Sequence, residues 1–170
     1  MGDGKLGLRI AQVLHAHGAS AHLFGRHKEK LRIAQEAGVA TELAKKLPVS
    51  AYDWVVDATG SAEGLAQAVR MTRPLGTLIL KSTVHGLVPI DTVPVIVNEI
   101  TLVGSRCGRM EPALRLLMSG KIRLDSLVAE TLPLSEAAQA FRHAAQKGVL
   151  KVLLRANSWQ TTFSLPACRS

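Results

Sequence analysis

Apolar residues recur along the chain with two alternating periods, which predicts helices and strands in turn. Leu6, Ile10, Val13 and Leu14 fall at helical spacing, and Gly18 stands where a left-handed helix end belongs. Residues 21–24 form a short candidate strand. Residues 28–37 read as a second helix, with Leu31 and Ala34 inward and Gly38 closing it. Residues 39–43 suit a short edge strand, and residues 53–58 (DWVVDA) a stronger one centred on Val55 and Val56. Ser61 is placed to cap a helix that Pro74 stops near Arg73.

The pattern continues in the second half. Residues 76–82 (GTLILKS) read as a buried strand, and residues 84–94, with Gly86, Pro89 and Pro94, as a loop. Residues 100–104 (ITLVG) are the next strand. Pro112 suits the first turn of a helix that ends at Gly120. Ser135 is placed to cap a helix through Gln146, with Phe141 and Ala144 inward, before a last strand over residues 149–154. Strand–helix units at this spacing predict an α/β fold built on a parallel sheet covered by helices. The expected organisation is one domain over residues 1–155 followed by an irregular tail, residues 156–170, which loses the pattern and contains Pro166.

Composition narrows the class. The chain has 170 residues, of which 47% are hydrophobic and 20% charged, which excludes a disordered or fibrous chain. Aromatics make up only 4%, so the core is expected to be aliphatic. The two cysteines, Cys107 and Cys168, make neither a disulfide framework nor a four-ligand zinc site by themselves. The six histidines (His15, His17, His22, His27, His85, His143) show no zinc-binding spacing. No metal site and no catalytic residue is therefore assigned within the chain. The net charge of +8 raises the question of nucleic acid, but the charges are dispersed and lack interleaved aromatic stacking positions. No secretory signal, membrane span or lipidation box is visible, so a cytoplasmic protein without a membrane or nucleic-acid partner is expected.

Candidate chemistry is concentrated at the start. Gly2-Asp3-Gly4-Lys5-Leu6-Gly7 matches G-x-G-x-x-G and runs directly into the first predicted helix. The three glycines serve different ends, namely a tight turn, backbone access for a pyrophosphate, and close packing of helix on strand. The helix N-terminus adds free N–H groups and a partial positive charge. The motif normally follows a strand, and only Met1 precedes it here. That strand would be central in a doubly wound sheet, so a hole is expected between its two neighbours.

The strand ending at Phe24 is followed by Gly25-Arg26-His27-Lys28, where a carboxylate would be expected for the ribose 2′-hydroxyl of NAD. Arg26 instead offers a fork to a 2′-phosphate, with Lys30 one turn further on, which favours NADP over NAD. The plain alternative is a solvated basic start to a helix.

Taken together, GDGKLGLRIAQVL, LFGRHKEKLRIAQEAG, DWVVDATGSAEGL, RPLGTLILKST, NEITLVGSR and LSEAAQAFRHA resemble the cofactor-binding half of zinc-type medium-chain alcohol, sorbitol and threonine dehydrogenases. The resemblance covers about residues 2–154 and implies a Rossmann-like doubly wound sheet lacking its first central strand. It implies a nicotinamide dinucleotide cofactor, bound by Gly2, Gly4, Lys5, Leu6 and Gly7, with Gly25, Arg26 and Lys30 at the ribose. It places the nicotinamide near Thr83, Val84, Ser105 and Cys107. Thr59 and Gly60 fall near the adenosine side and Lys151 near the pyrophosphate. The family's catalytic half precedes the glycine motif and supplies zinc ligands, proton relay and substrate pocket. Zinc is expected only there, so these residues alone are expected to be inactive or nearly so. The strand at residues 100–104 is expected at a sheet edge, where Ile100, Leu102 and Val103 favour a homo-oligomer. The alternative function is a non-catalytic dinucleotide-binding or partner-binding module.

Overall fold

The computed structural model describes residues 1–84 and 86–156. The expectations for His85, Cys168 and the tail beyond Ala156 lie outside the described residues. The chain divides into two compact units, Met1–Ser126 and Leu127–Ser170.

In the first unit, α1 (Lys5–Ala16) leads to β1 (His22–Gly25), α2 (Lys28–Gln35) and β2 (Ala40–Leu43). Then come β3 (Tyr52–Asp57), α3 (Ala62–Met71), β4 (Thr72–Leu80), α4 (Val93–Val97), β5 (Thr101–Gly104) and α5 (Met110–Met118). Gly18 takes the left-handed conformation (φ 81°) just past the end of α1, as its position in the sequence requires. Ser61 caps α3 through a bond from the Gly64 N–H to its hydroxyl at 3.1 Å. All strand pairs are parallel: β1 with β2, and β3-β4-β5 with β5 at an edge. The core is mainly aliphatic, gathering Val55, Ala68, Val69, Met71, Leu78 and Ile100 around the ring of Phe24, with Tyr52 packed against it.

Two expectations need correction here. The 84–94 loop gives way to α4, because Pro94 lies in the first helical turn, where its missing N–H costs nothing. β4 starts at Thr72 rather than Gly76; an irregularity in the register lets it pass Pro74. The inward face of α1 is Gly7, Leu8, Ala11 and Gln12. Leu14 is exposed, because Gly7, Ile10, Ala11 and Leu14 line a cavity of about 390 Å³ between β1 and β3.

β1 and β3 belong to separate sheets, and among the described residues Met1 and Gly2 make backbone bonds to both. The Met1 amine donates to the Val56 carbonyl at 2.9 Å, and the Ala58 N–H donates to the Met1 carbonyl at 3.0 Å. The Gly2 N–H donates to the Phe24 carbonyl at 2.9 Å on the other side. Burial pushes the Met1 amine below its ordinary value of 8.0, and the charge of Asp57 partly opposes that.

The second unit pairs β6 (Glu130–Pro133) in parallel with β7 (Val152–Arg155), with α6 (Ala137–Ala144) as the crossover between them. β6 has no counterpart among the expected strands, since Glu130 and Pro133 mask its short apolar signal. In α6 the buried residue is Ala140, whereas Phe141 and Ala144 are exposed. His143 and Glu130 close the unit with a 2.7 Å contact.

Candidate functional site

The loops after β1, β3, β4 and β5 all leave the carboxyl ends of parallel strands, the edge where open α/β sheets bind ligands. The glycine turn lies on the same edge. Gly2 has φ 103°, and a Cβ there would sit 2.6 Å from the Ala58 carbonyl oxygen, so only glycine fits. A Cβ on Gly7 would collide with the Gly2 carbonyl oxygen, which fixes the close seat of α1 on the turn. A Cβ on Gly4 would meet nothing within 4 Å. Gly4 is therefore not needed for packing; it keeps open the space over the start of α1.

That space faces unpaired donors. Gly4 is the N-cap and provides no side-chain cap. The first bond of the helix runs from the Leu8 N–H to the Gly4 carbonyl, so the N–H groups of Lys5, Leu6 and Gly7 have no partner within the helix. Three free N–H groups, the positive end of a twelve-residue helix and the exposed Lys5 suit an anion that approaches over Gly4. The residues present therefore fit the pyrophosphate of a dinucleotide.

Asp3, read from the sequence only as a spacer, ties this turn to the next loop. Its Oδ2 accepts the N–H groups of Arg26 at 2.7 Å and His27 at 2.6 Å, and lies 3.1 Å from His27 Nδ1. Asp3 is buried against Gly25, where an added Cβ would lie 2.5 Å from the Asp3 Cβ. The N–H groups of Arg26 and His27, just before α2, are thereby occupied, and the side chains of Arg26, Lys28 and Lys30 are cations of this stretch. Arg26 pairs with Glu63 at 2.9 Å, but both side chains are mostly exposed, so the pair contributes about 0–1 kcal/mol and is readily exchanged for a ligand.

At the end of β3, Asp57 Oδ1 accepts from the Thr59 N–H at 3.0 Å and from the Thr59 hydroxyl at 2.7 Å. This bond to the N–H two residues on is an Asx-turn, whose signal in the sequence is the Asp57-Ala58-Thr59 run itself. The Gly60 N–H donates to Ser82 Oγ at 2.9 Å, so the ends of β3 and β4 are pinned together. Lys81 Nζ bridges to the Arg106 carbonyl at 2.6 Å and Ser105 Oγ at 3.3 Å, which joins the ends of β4 and β5. Thr83, Val84, Ser105 and Cys107 are exposed along that stretch. Lys151 belongs to the second unit; it is exposed, and its carbonyl accepts the Ala129 N–H at 2.8 Å. Among the described residues no three His, Cys, Asp or Glu side chains cluster so as to hold a metal, so they do not fit a zinc site. No helix among them is long and apolar enough to cross a membrane.

Residues 6–119 match the family model described as zinc-binding dehydrogenase. The chain is 28% identical to D-arabitol-phosphate dehydrogenase of Enterococcus avium, over 92% of its own length and 49% of the relative's. It is 29% identical to sorbitol dehydrogenase of Halalkalibacterium halodurans, over 90% and 50%. Among solved structures it is similar to one from Sinorhizobium meliloti 1021, described as a zinc-binding dehydrogenase bound to NADP. The TM-score is 0.79 at 27% identity, covering 90% of this chain and 50% of that one. The chain spans about half the length of the relatives it matches.

Proposed function

The chain belongs to the zinc-binding dehydrogenase family, and from that premise we propose that it binds a nicotinamide dinucleotide as the cofactor-binding part of a medium-chain alcohol dehydrogenase-like oxidoreductase. The observation that carries this reading is the glycine turn: open space over Gly4 facing the unpaired N–H groups of Lys5, Leu6 and Gly7. Those groups receive the pyrophosphate. Gly25 brings the backbone close at the ribose, and Arg26 and Lys30 meet a 2′-phosphate there, which favours NADP over NAD. Thr59 and Gly60 border the adenosine side. Thr83, Val84, Ser105 and Cys107 line the strand ends along which the nicotinamide lies. When bound, the nicotinamide supplies the hydride acceptor or donor, while this chain holds and orients it.

A whole dehydrogenase of this kind acts on an alcohol or polyol, and the expected location is the cytoplasm. No described cluster of side chains offers to polarise an alcohol oxygen, so the 170-residue chain alone is expected to bind cofactor without turnover. That same observation favours the second reading, a dinucleotide-binding module without catalysis of its own.

Calorimetric titration with NADPH and NADH, together with an alcohol-oxidation assay, tests both. The expected result is tighter binding of NADPH, a loss of about tenfold for NADPH alone in Arg26→Ala, and no turnover. A preference for NADH overturns the ribose assignment, and a folded chain that binds neither overturns the dinucleotide reading.

A further inference from the structure

Lys81 is a cation set among neutral groups at the ends of β4 and β5. It follows the last residue of β4, and its backbone is fixed there: the N–H groups of Lys81 and Ser82 both donate to the Asp57 carbonyl, at 3.0 and 3.1 Å. The end of β5 is fixed beside it by the Ser105 N–H, which donates to the Leu80 carbonyl at 3.0 Å. Between these anchors the Lys81 side chain reaches across the strand ends, and Nζ donates to the Arg106 carbonyl at 2.6 Å and to Ser105 Oγ at 3.3 Å.

Both partners are neutral. Among the described residues Lys81 joins no ion pair with an Asp or Glu. Asp57, at the neighbouring strand end, is buried, and its carboxylate accepts from the Thr59 N–H and hydroxyl instead. Residues 81–90 and 105–110, which follow β4 and β5, contain Lys81, Arg106 and Arg109 and neither Asp nor Glu. A lysine ammonium carries three donors. Ser105 and Arg106 take two, which leaves one for a ligand lying over the strand ends.

Two properties of a nicotinamide let such a cation discriminate. The oxidised ring carries a formal positive charge and the reduced ring none, so an uncompensated cation repels the oxidised form alone. In the reduced ring the N1 lone pair is delocalised onto the carboxamide oxygen, which makes that oxygen the better acceptor for a charged donor. Both effects act in the same direction.

We propose that Lys81 makes the site selective for the redox state of its cofactor, holding the reduced dinucleotide more tightly than the oxidised one. This rests on the dinucleotide reading above, with the nicotinamide beside Thr83, Val84, Ser105 and Cys107. Two like charges about 6 Å apart, at an effective dielectric of about 40, shift an equilibrium by about tenfold. A tenfold preference for the reduced form raises the two-electron potential of the bound cofactor by about 30 mV. Lys81 is thus a specificity-determining residue that acts on the charge of the ring, whereas Arg26 and Lys30 act at the ribose, which is the same in both redox states.

The test is calorimetric titration of the 170-residue chain with NADPH, with NADP⁺ and with 2′-phospho-ADP-ribose, which lacks the nicotinamide. The parent chain is expected to bind NADPH at least about tenfold more tightly than NADP⁺. Lys81→Gln keeps an N–H donor and removes the charge; it is expected to shrink that ratio by about tenfold, and Lys81→Arg to preserve it. Neither substitution should change binding of 2′-phospho-ADP-ribose by more than about twofold, since its phosphates are screened from Lys81. A purely structural role for the bridge to Ser105 and Arg106 would weaken NADPH and NADP⁺ equally and leave their ratio unchanged. If NADH binds better than NADPH, then NADH, NAD⁺ and ADP-ribose take the same three roles.

Equal affinity of the parent for the two redox forms, an unchanged ratio in folded Lys81→Gln, or an equal loss of all three ligands overturns the proposal and leaves the dinucleotide reading standing. Binding of none of the three overturns the dinucleotide reading, and the proposal falls with it.

Discussion

Replacing Gly25 by alanine should act almost entirely through Asp3. An added Cβ at Gly25 would lie 2.5 Å from Asp3 Cβ, 2.7 Å from Oδ2 and 2.8 Å from Cγ, and these three atoms are its nearest neighbours. The Gly25 backbone itself tolerates a side chain, because its φ is not positive. Gly25→Ala therefore expels the Asp3 carboxylate and frees the N–H groups of Arg26 and His27. A bond to a charged acceptor contributes about 1.5–3 kcal/mol. Both donors are only partly buried and regain some water, so the lower value applies to each and the pair amounts to about 3 kcal/mol. At about 2–4 °C per kcal/mol, the melting temperature should fall by about 6–12 °C.

The decisive measurement is a double-mutant cycle by urea unfolding. Asp3→Gly alone should lose a similar amount, plus about 1 kcal/mol for added backbone freedom. In the Asp3→Gly background the colliding atoms are gone, and Gly25→Ala should cost only a few tenths of a kcal/mol. A coupling near 3 kcal/mol is thus expected, about the value of the two bonds together. If Gly25→Ala costs the same in both backgrounds, the latch between the glycine turn and the loop after β1 is refuted.

Two further outcomes follow. The buried Met1 amine has its folded value pushed below 8.0, so the folded state binds fewer protons than the unfolded one between those two values. Its contribution to stability is present above pH 8.0 and is lost as pH falls through the folded value; urea unfolding at stepped pH should show stability rising toward pH 8.0, and a flat profile would contradict it. The edge strand β5 exposes Leu102 and Val103, so the chain should self-associate, and Leu102→Lys should shift its sedimentation toward the monomer.

Much of the fold is legible in the sequence, for reasons tied to short range. The helix of residues 62–71 shows itself through Ser61 and its apolar spacing, because a cap and a period are local properties. β5 can likewise be read, from the apolar run of residues 100–104. The Asp3 latch cannot be read, since its partners lie 23 and 24 residues away and meet it only once β1 brings the loop back. The same holds for Lys81 and the Arg106 carbonyl. α4 is hidden because Pro94 signals a break anywhere except in a first turn, and β6 because four residues with one proline leave no period to detect.

Gly4→Leu tests the central claim most directly, because Gly4 contributes space rather than packing. Its φ of −75° accommodates any residue, and nothing lies within 4 Å of the added Cβ, so the melting temperature should change by no more than a few degrees. The leucine side chain would instead stand over the N–H groups of Lys5, Leu6 and Gly7. Calorimetric titration of NADPH into this variant and the parent chain is expected to show binding in the parent and a loss of at least about tenfold in Gly4→Leu. Undiminished binding by a folded Gly4→Leu would show that the dinucleotide does not sit on the glycine turn.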